Sequence, residues 1–325
     1  MNNKGDLIVD AVITWVDGSE PKHREKMSKY LEDKNSLNSR TVRMRYDQID
    51  EIEFSVKSIL KYAKFVRNIF IVTDNQTPDF LKDIEKAKKE YPTVFIIDHK
   101  TIFEGYLQYL PTFNSLSIES LLYKVPNLSE HFLYFNDDFF LANMSKSTDF
   151  FIQGAPILRG TWKQYHENIW HKKVKSFFKK IINNKKVVYS HNKGFQKAAK
   201  LLNFKKYIFS DHNPSPLRKS AIESYFERNP AVLEENIKHR FRHPNQFVCH
   251  SLSNHLEIKN DTFTLKNDNQ LVYFQSYKKP LLWIELKLAT IKKDQNKLFL
   301  CMQSLSQCPE KKLKYIKDWL HKKYD

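Results

Sequence analysis

The feature that most constrains this chain is the order of apolar periods over its first hundred residues. Residues 7–16 (LIVDAVITWV) are rich in β-branched side chains and close on the turn signal Asp17-Gly18-Ser19-Glu20-Pro21, which predicts a strand. Residues 22–31 read as a helix and 32–39 as a polar loop. Across 51–62, Ile52, Val56, Ile59 and Leu60 fall at the spacing of a one-faced helix. Residues 68–73 (NIFIVT) form a short buried strand closed by Asp74-Asn75-Gln76, 79–90 a helix, and 94–97 a third strand. Strand, helix, strand, helix, strand is the pattern of the α/β class. A mostly parallel, Rossmann-like sheet flanked by helices is expected.

The pattern continues with a helix over 115–123 and a fourth strand, 131–135 (HFLYF), ending in Asn136-Asp137-Asp138. Open α/β sheets bind ligands beyond the carboxyl ends of their strands. Acids stand at three such ends: Asp17, Asp74 and the Asp137-Asp138 pair. Residues 161–206 then shift towards Lys, Asn and aromatics, as in HKKVKSFFKKIINNKK. They are read as a basic helical insertion between a core at 1–160 and its remainder at 207–305. Within that remainder, 210–218 is a Pro-rich loop, helices follow at 219–228 and near 232–240, residues 271–275 return to the sheet as a strand, and 298–302 form another. Residues 306–325 close the chain with an amphipathic helix whose face carries Leu313, Ile316, Trp319 and Leu320. Such a stripe docks on its own core or lies in a membrane interface.

Charge narrows the partners. Lys plus Arg number 54 against 37 Asp plus Glu, a net charge of +17, which favours an anionic partner: nucleic acid, an acidic membrane surface or phosphorylated molecules and polymers. No RNP, zinc-finger or KH signature is present, so nucleic acid is not the expected partner. With 6 glycines and neither GxGxxG nor GxxxxGK[ST], a bound phosphate would be held by side chains and metal. Cys249, Cys301 and Cys308 lack metal-ligand spacing, and no apolar run reaches membrane-spanning length. A reduced, cytoplasmic setting is expected, at most peripheral on the inner face of the membrane.

Three groups could do chemistry. Asp137 and Asp138, after a buried strand, suit a hard divalent cation and the diphosphate it holds; they equally suit a cap or turn. His212, in Asp211-His212-Asn213-Pro214-Ser215-Pro216, could serve as a general base from a stiffened loop. Arg240 and Arg242, in Arg240-Phe241-Arg242-His243, could clamp phosphate oxygens or complement a helix end, and Arg45 raises the same question.

Together these segments resemble the Stealth family of sugar-phosphate transferases, which includes bacterial capsule polymerases and the catalytic subunit of the Golgi GlcNAc-1-phosphotransferase. The resemblance lies in residues 10–21 (DAVITWVDGSEP), in Arg45-Tyr46-Asp47 through 69–76 (IFIVTDNQ), and in 133–140 (LYFNDDFF). It continues with His212-Asn213-Pro214-Ser215-Pro216, Arg218-Lys219-Ser220 and Phe241-Arg242-His243. The blocks keep family order. Residues 298–304 lack the Asn-Asp pair that related chains carry in a fourth block.

The resemblance implies a GT-A-like core that moves hexose-1-phosphate from a UDP-sugar, such as UDP-GlcNAc, to a hydroxyl of an anionic oligosaccharide or polysaccharide. UMP would leave, and the product would be a capsular or other cell-surface polymer. It further implies that Asp137 and Asp138 hold Mg²⁺ or Mn²⁺, with Asp138 taking part in catalysis. His212 would act as the base and Arg242 would stabilise the phosphate. Trp15, Asp17, Arg45, Asp74, Gln76, Asn136, Arg218, Lys219 and Arg240 would contact substrate. Alternatives are a conventional glycosyltransferase that releases UDP, and a basic nucleic-acid-binding or scaffold protein.

Overall fold

The computed structural model describes residues 7–168 and 189–325. Its strands are β1 (Val9–Thr14), β2 (Val66–Thr73), β3 (Val94–Asp98), β4 (His131–Asn136), β5 (Phe139–Leu141), β6 (Phe151–Ile152), β7 (Ala155–Gln164), β8 (Lys206–Ser210), β9 (Ser215–Arg218), β10 (Thr264–Lys266), β11 (Leu271–Phe274) and β12 (Phe299–Met302).

Near-continuous apolar runs put β1, β2 and β4 at the centre, since a parallel strand must be covered on both faces. The main sheet runs β3-β2-β1-β4-β9, with the first four parallel and β9 antiparallel to β4. Alternation along β1 sorts the two faces. Val9, Ala11 and Ile13 pack on Ile52, Val56 and Ile59 of the Glu51–Tyr62 helix. Val12 faces the other way, into a cluster with Phe132, Leu121, Phe226 and Leu252. Buried Asp10, at the amino end, is satisfied by Arg67 (3.0 and 2.6 Å) and by the amides of Asn68 and Ser129, so Arg67 is a structural cation.

From β1 the chain builds outward to β2 and β3, then returns to the other side of β1 with β4. Strand order thus reverses between β1 and β4, and their carboxyl ends flank a crevice there.

Several expectations are corrected. Residues 215–218 are not loop but β9, and Pro216 is tolerated because β9 is an edge strand. Residues 271–274 do not return to the main sheet; β11 joins β12 and β5 in a separate three-stranded sheet. The helix expected at 79–90 divides into a short 3-10 turn, Asp79–Leu81, and the helix Ile84–Glu90. The segment 161–206 contributes the end of β7, the helix His191–Leu201 and the first residue of β8; its most basic stretch, HKKVKSFFKKIINNKK, lies outside the described residues. The Cys249–Lys259 helix had no amphipathic signal. It is buried almost all round, including Ser251, Asn254 and His255, so no polar face marks it.

The Glu310–Tyr324 helix spends its apolar stripe on the protein itself. Ile316, Leu320 and Tyr324 are buried with Ile284, Leu288 and Ile291 of the Leu281–Lys293 helix, and Leu313 and Trp319 pack against the same cluster. Among the described residues no helix is long and apolar enough to cross a membrane.

Candidate active site

A cavity of about 480 Å³ opens at the carboxyl ends of β1 and β4. Its floor is acidic. β4 ends at Asn136 and turns through Asp137 and Asp138 into β5. Glu51, the first residue of the Glu51–Tyr62 helix, is buried in the same floor and lines the same cavity. The sequence reading missed Glu51 because an acid in a helix's first turn looks like an ordinary complement to the dipole. Burial, then the charge of Asp137, pushes the Glu51 carboxyl up to about 7. Burial, and the neighbouring Asp138, raise Asp137; burial, and Glu51, raise Asp138.

A buried glutamate and two half-buried aspartates that disfavour their own negative charge are suited to a cation, and their oxygens are the donors a hard divalent ion takes. Among the described residues no group of three His, Cys, Asp or Glu side chains forms a ready cage. A cation here would therefore take one or two carboxylates and fill its remaining positions from water and ligand phosphate, as Mg²⁺ commonly does. The donor set fits that use.

Two guanidinium groups line the same cavity. Arg242 donates from Nη2 to Ser115 Oγ (3.0 Å) and lies 5.8 Å from the Tyr189 ring centre. Arg45, on the Arg40–Tyr46 helix, lines the cavity beside it. Burial, and then the charge of Arg242, lower the Arg45 pKa. Neither guanidinium has an ion-pair partner among the described residues, so two adjacent cations face the cavity without a counter-ion. That is an anion site waiting for charge.

His212 sits between β8 and β9, with its ring stacked on Tyr273 (4.6 Å between centres, 16° between planes) and the Phe139 ring edge-on at 6.4 Å. Burial lowers its pKa, leaving a neutral imidazole at neutral pH. His250 Nδ1 stands 2.8 Å from Oε1 of buried Glu119. His191 lines the same cavity. Of these, only His212 was singled out from the sequence; His191, His250 and Glu119 carry no local motif.

The other expected residues divide. Trp15 and Asn136 line the cavity, and Asn136 accepts from Tyr134 Oη at 2.9 Å. Asp17 and Gln76 face a neighbouring pocket of about 170 Å³ that shares Trp15 with the cavity. There Gln76 holds the Asp17 backbone from both sides (2.9 and 3.0 Å), while the Asp17 carboxylate caps Ser19. Asp74 is paired with Lys26 at 2.8 Å and does not line the cavity. Arg240 lies over the Tyr30 ring at 4.7 Å and donates to the carbonyls of Gln108 and Leu110, again outside the cavity.

Arg218 and Lys219 stand at the other end of the sheet. β9 runs antiparallel to β4, with Arg218 opposite His131, so these residues stand at the amino end of β4, the far end from Asp137. Arg218 is engaged by Glu257 (2.9 and 2.6 Å), and the Lys219 amide donates to the Glu130 carbonyl. Reading along the chain from His212 could not reveal that the strand carries them away.

Gly18 positions the Arg45 helix. Its amide donates to the Tyr46 carbonyl at 2.9 Å, and a Cβ on Gly18 would come within 2.3–2.6 Å of Tyr46 Cβ and backbone. Gly18→Ala is expected to destabilise the protein by about 1–3 kcal/mol through that overlap. It should also weaken anion binding at Arg45. An unchanged melting temperature would show that the loop yields without consequence.

Comparison with known proteins places these features. Residues 9–34 match Stealth protein CR1, conserved region 1, and residues 45–157 match Stealth protein CR2, conserved region 2. The receptor polysaccharide phosphotransferase WefC of Streptococcus oralis is 31% identical over 261 residues, covering 73% of this chain and 74% of that protein. The capsular polysaccharide phosphotransferase cps1A of Actinobacillus pleuropneumoniae is 43% identical over 146 residues, 44% of this chain. That match spans only 38% of the cps1A protein's own length. Among solved structures, mouse xyloside xylosyltransferase 1 in its apo form aligns over 93% of this chain and 100% of that one, at a TM-score of 0.41 and 7% identity.

Proposed function

We propose, from the premise that this chain belongs to the Stealth family, that it transfers a sugar-1-phosphate from a nucleotide sugar to a carbohydrate hydroxyl, building a capsular or other cell-surface polysaccharide. The observation that carries the reading is the meeting, in one cavity, of three carboxyl groups with raised pKa values and two guanidinium groups that make no ion pair among the described residues. A diphosphate is the ligand that needs both: anionic oxygens for Arg45 and Arg242, and enough charge to bring a cation to Asp137 and Asp138.

A bound Mg²⁺ or Mn²⁺ would supply charge neutralisation on the diphosphate. The chain's own groups do the rest. Arg45 and Arg242 offset the charge on the phosphoryl oxygens. His212, neutral and held by Tyr273, accepts the proton of the acceptor hydroxyl as its oxygen bonds to the sugar-bearing phosphorus. The bond from that phosphorus to the nucleoside monophosphate breaks, and the monophosphate leaves. A UDP-sugar such as UDP-GlcNAc is the donor we favour. Each transfer leaves a phosphodiester, so a growing acceptor is anionic and suits a protein of net charge +17. The proposed setting is the cytoplasm, at the inner face of the membrane.

The test is to incubate the protein with UDP-sugars, Mg²⁺ and oligosaccharide acceptors and to identify the nucleotide released. UMP with acceptor extension supports the proposal. UDP would move bond cleavage to the sugar carbon and make the enzyme a conventional glycosyltransferase. Absence of either product across donors and acceptors would remove the nucleotide-sugar reading.

A pH dependence follows. His212 must be neutral to accept a proton, and its pKa lies below the ordinary 6.5. Activity is therefore expected to fall only as pH drops through that lowered value. A kcat/KM profile should show an acid limb below pH 6.5. A limb at or above neutrality would take His212 out of the base role.

A further inference from the structure

The apolar stripe of the Glu310–Tyr324 helix is used up in packing, but the helix it packs on leaves one open. In the Leu281–Lys293 helix, LLWIELKLATIKK, Glu285 and Lys287 are the only charged residues before the closing lysines. A helix apolar on every side is normally buried on every side. This one is not. Ile284, Leu288 and Ile291 sink into the cluster shared with Ile316, Leu320 and Tyr324, while Leu282 stays 64% exposed, Leu286 60% and Trp283 38%.

The exposed residues are ordered. Leu282, Leu286 and Ala289 follow at steps of four and three, so they form one ridge along the helix, and Lys293 continues it. Trp283 borders the ridge. Its ring meets Phe274 at 5.9 Å and 82°, and Lys287 Nζ lies 4.7 Å from its centre, so the indole is fixed from within and open outside.

Both ends of the ridge are basic. Lys278 and Lys279 stand before the helix, Lys292 and Lys293 close it, and all four are exposed. Glu285 is the single acid of the helix.

An apolar ridge with an indole at its border and cations at both ends is matched by a bilayer with anionic headgroups. Leucines enter the acyl boundary, the indole sits at headgroup depth, and lysines meet the lipid phosphates. A second copy fits less well. Pairing two such ridges about a twofold axis, in either direction, sets lysine-rich ends together in a chain already at +17. At 13 residues the helix is about 20 Å long, so it would lie along the surface and not cross.

We infer that the face carrying Leu282, Trp283 and Leu286 seats the protein on an anionic membrane surface. The inference goes beyond the transfer reading and stands on separate observations. It also sets what lies beside the membrane. The helix follows β11, and Lys287 Nζ donates to the carbonyl of Tyr273 at 2.5 Å, the residue whose ring stacks on His212. The docked face is thus one strand away from the proposed base.

The test is sedimentation of the full chain with vesicles of phosphatidylcholine alone and of phosphatidylcholine mixed with phosphatidylglycerol. The chain should partition onto the mixed vesicles at least about tenfold more strongly, and added salt should weaken that binding. Replacing both leucines, Leu282→Asn with Leu286→Asn, should lower partitioning onto the mixed vesicles by about tenfold or more. Both side chains are exposed, so the variant should keep the parent's melting temperature and its turnover of a soluble acceptor.

Equal partitioning of parent and variant would overturn the inference, because net charge alone would then account for the binding. Failure of the parent to bind mixed vesicles would overturn it as well. So would a parent that is dimeric by light scattering beside a monomeric variant, which would give the face to a second copy. Leucine-dependent vesicle binding by a chain that turns over no sugar nucleotide would support this inference while removing the transfer reading.

Discussion

His212→Ala should lower turnover by about 10²–10⁴-fold while leaving donor affinity nearly unchanged. A general base acts on the acceptor proton in the transition state, so its loss belongs in kcat and not in ground-state binding of the donor. The geometry supports that separation. The imidazole stacks on Tyr273 with the Phe139 ring edge-on, in the β8–β9 connection, a different element from the Asp137-Asp138 turn and from the Arg45 helix. Turnover and donor dissociation should be measured separately, and partial recovery with added imidazole would identify a missing proton acceptor. Equal losses in both quantities would mean that His212 binds donor.

Asp138→Asn should act in two opposite directions. Burial and the charge of Glu51 hold the Asp138 carboxyl well above the usual range, so the unliganded protein keeps this group at a cost. Asparagine keeps the shape and removes the charge, and the ligand-free variant is expected to melt about 2 °C higher or more. Metal-dependent donor binding should fall by about tenfold or more, because the second carboxylate of the pair is gone. Calorimetry with and without Mg²⁺, beside a thermal melt, reads both effects. A lower melting temperature with unchanged donor binding would show a structural carboxylate instead.

Much of this arrangement could be read from the chain because it follows from local physics. Apolar alternation and turn residues marked β1, β2 and β4, and the rule that ligands gather at carboxyl strand ends pointed to Asp17, Asp74, Asp137 and Asp138, of which Asp137 and Asp138 line the cavity. His212, Arg45 and Arg242 reach the same cavity from separate elements, and family likeness, not periodicity, singled out His212 and Arg242. What stayed hidden depends on contacts between distant segments. Glu51 looks like a capping acid until the acidic turn closes over it. The Cys249–Lys259 helix has no polar face to announce it. Arg218 appeared to belong with His212 because nothing local shows that β9 runs antiparallel to β4. His23, His99 and Thr112, which also line the cavity, belong to no motif and come from separate segments.

The Asp137-Asp138 turn is closed from behind by β12. The Met302 amide donates to the Asp138 carbonyl at 3.1 Å, and Cys301 Sγ lies 3.9 Å from Asp138 Oδ2, 163 residues away along the chain. β12 also pairs with β5, the strand that leaves the turn. During synthesis, then, the acidic turn is made long before the strand that fixes its backbone. A chain carrying β1 to β5 already has its strand ends and its acids, and Ser55 and Ser58 already hold β5, but the Asp138 carbonyl still lacks its β12 partner. A chain that stops short of β12 would lack the amide that pins the Asp138 carbonyl.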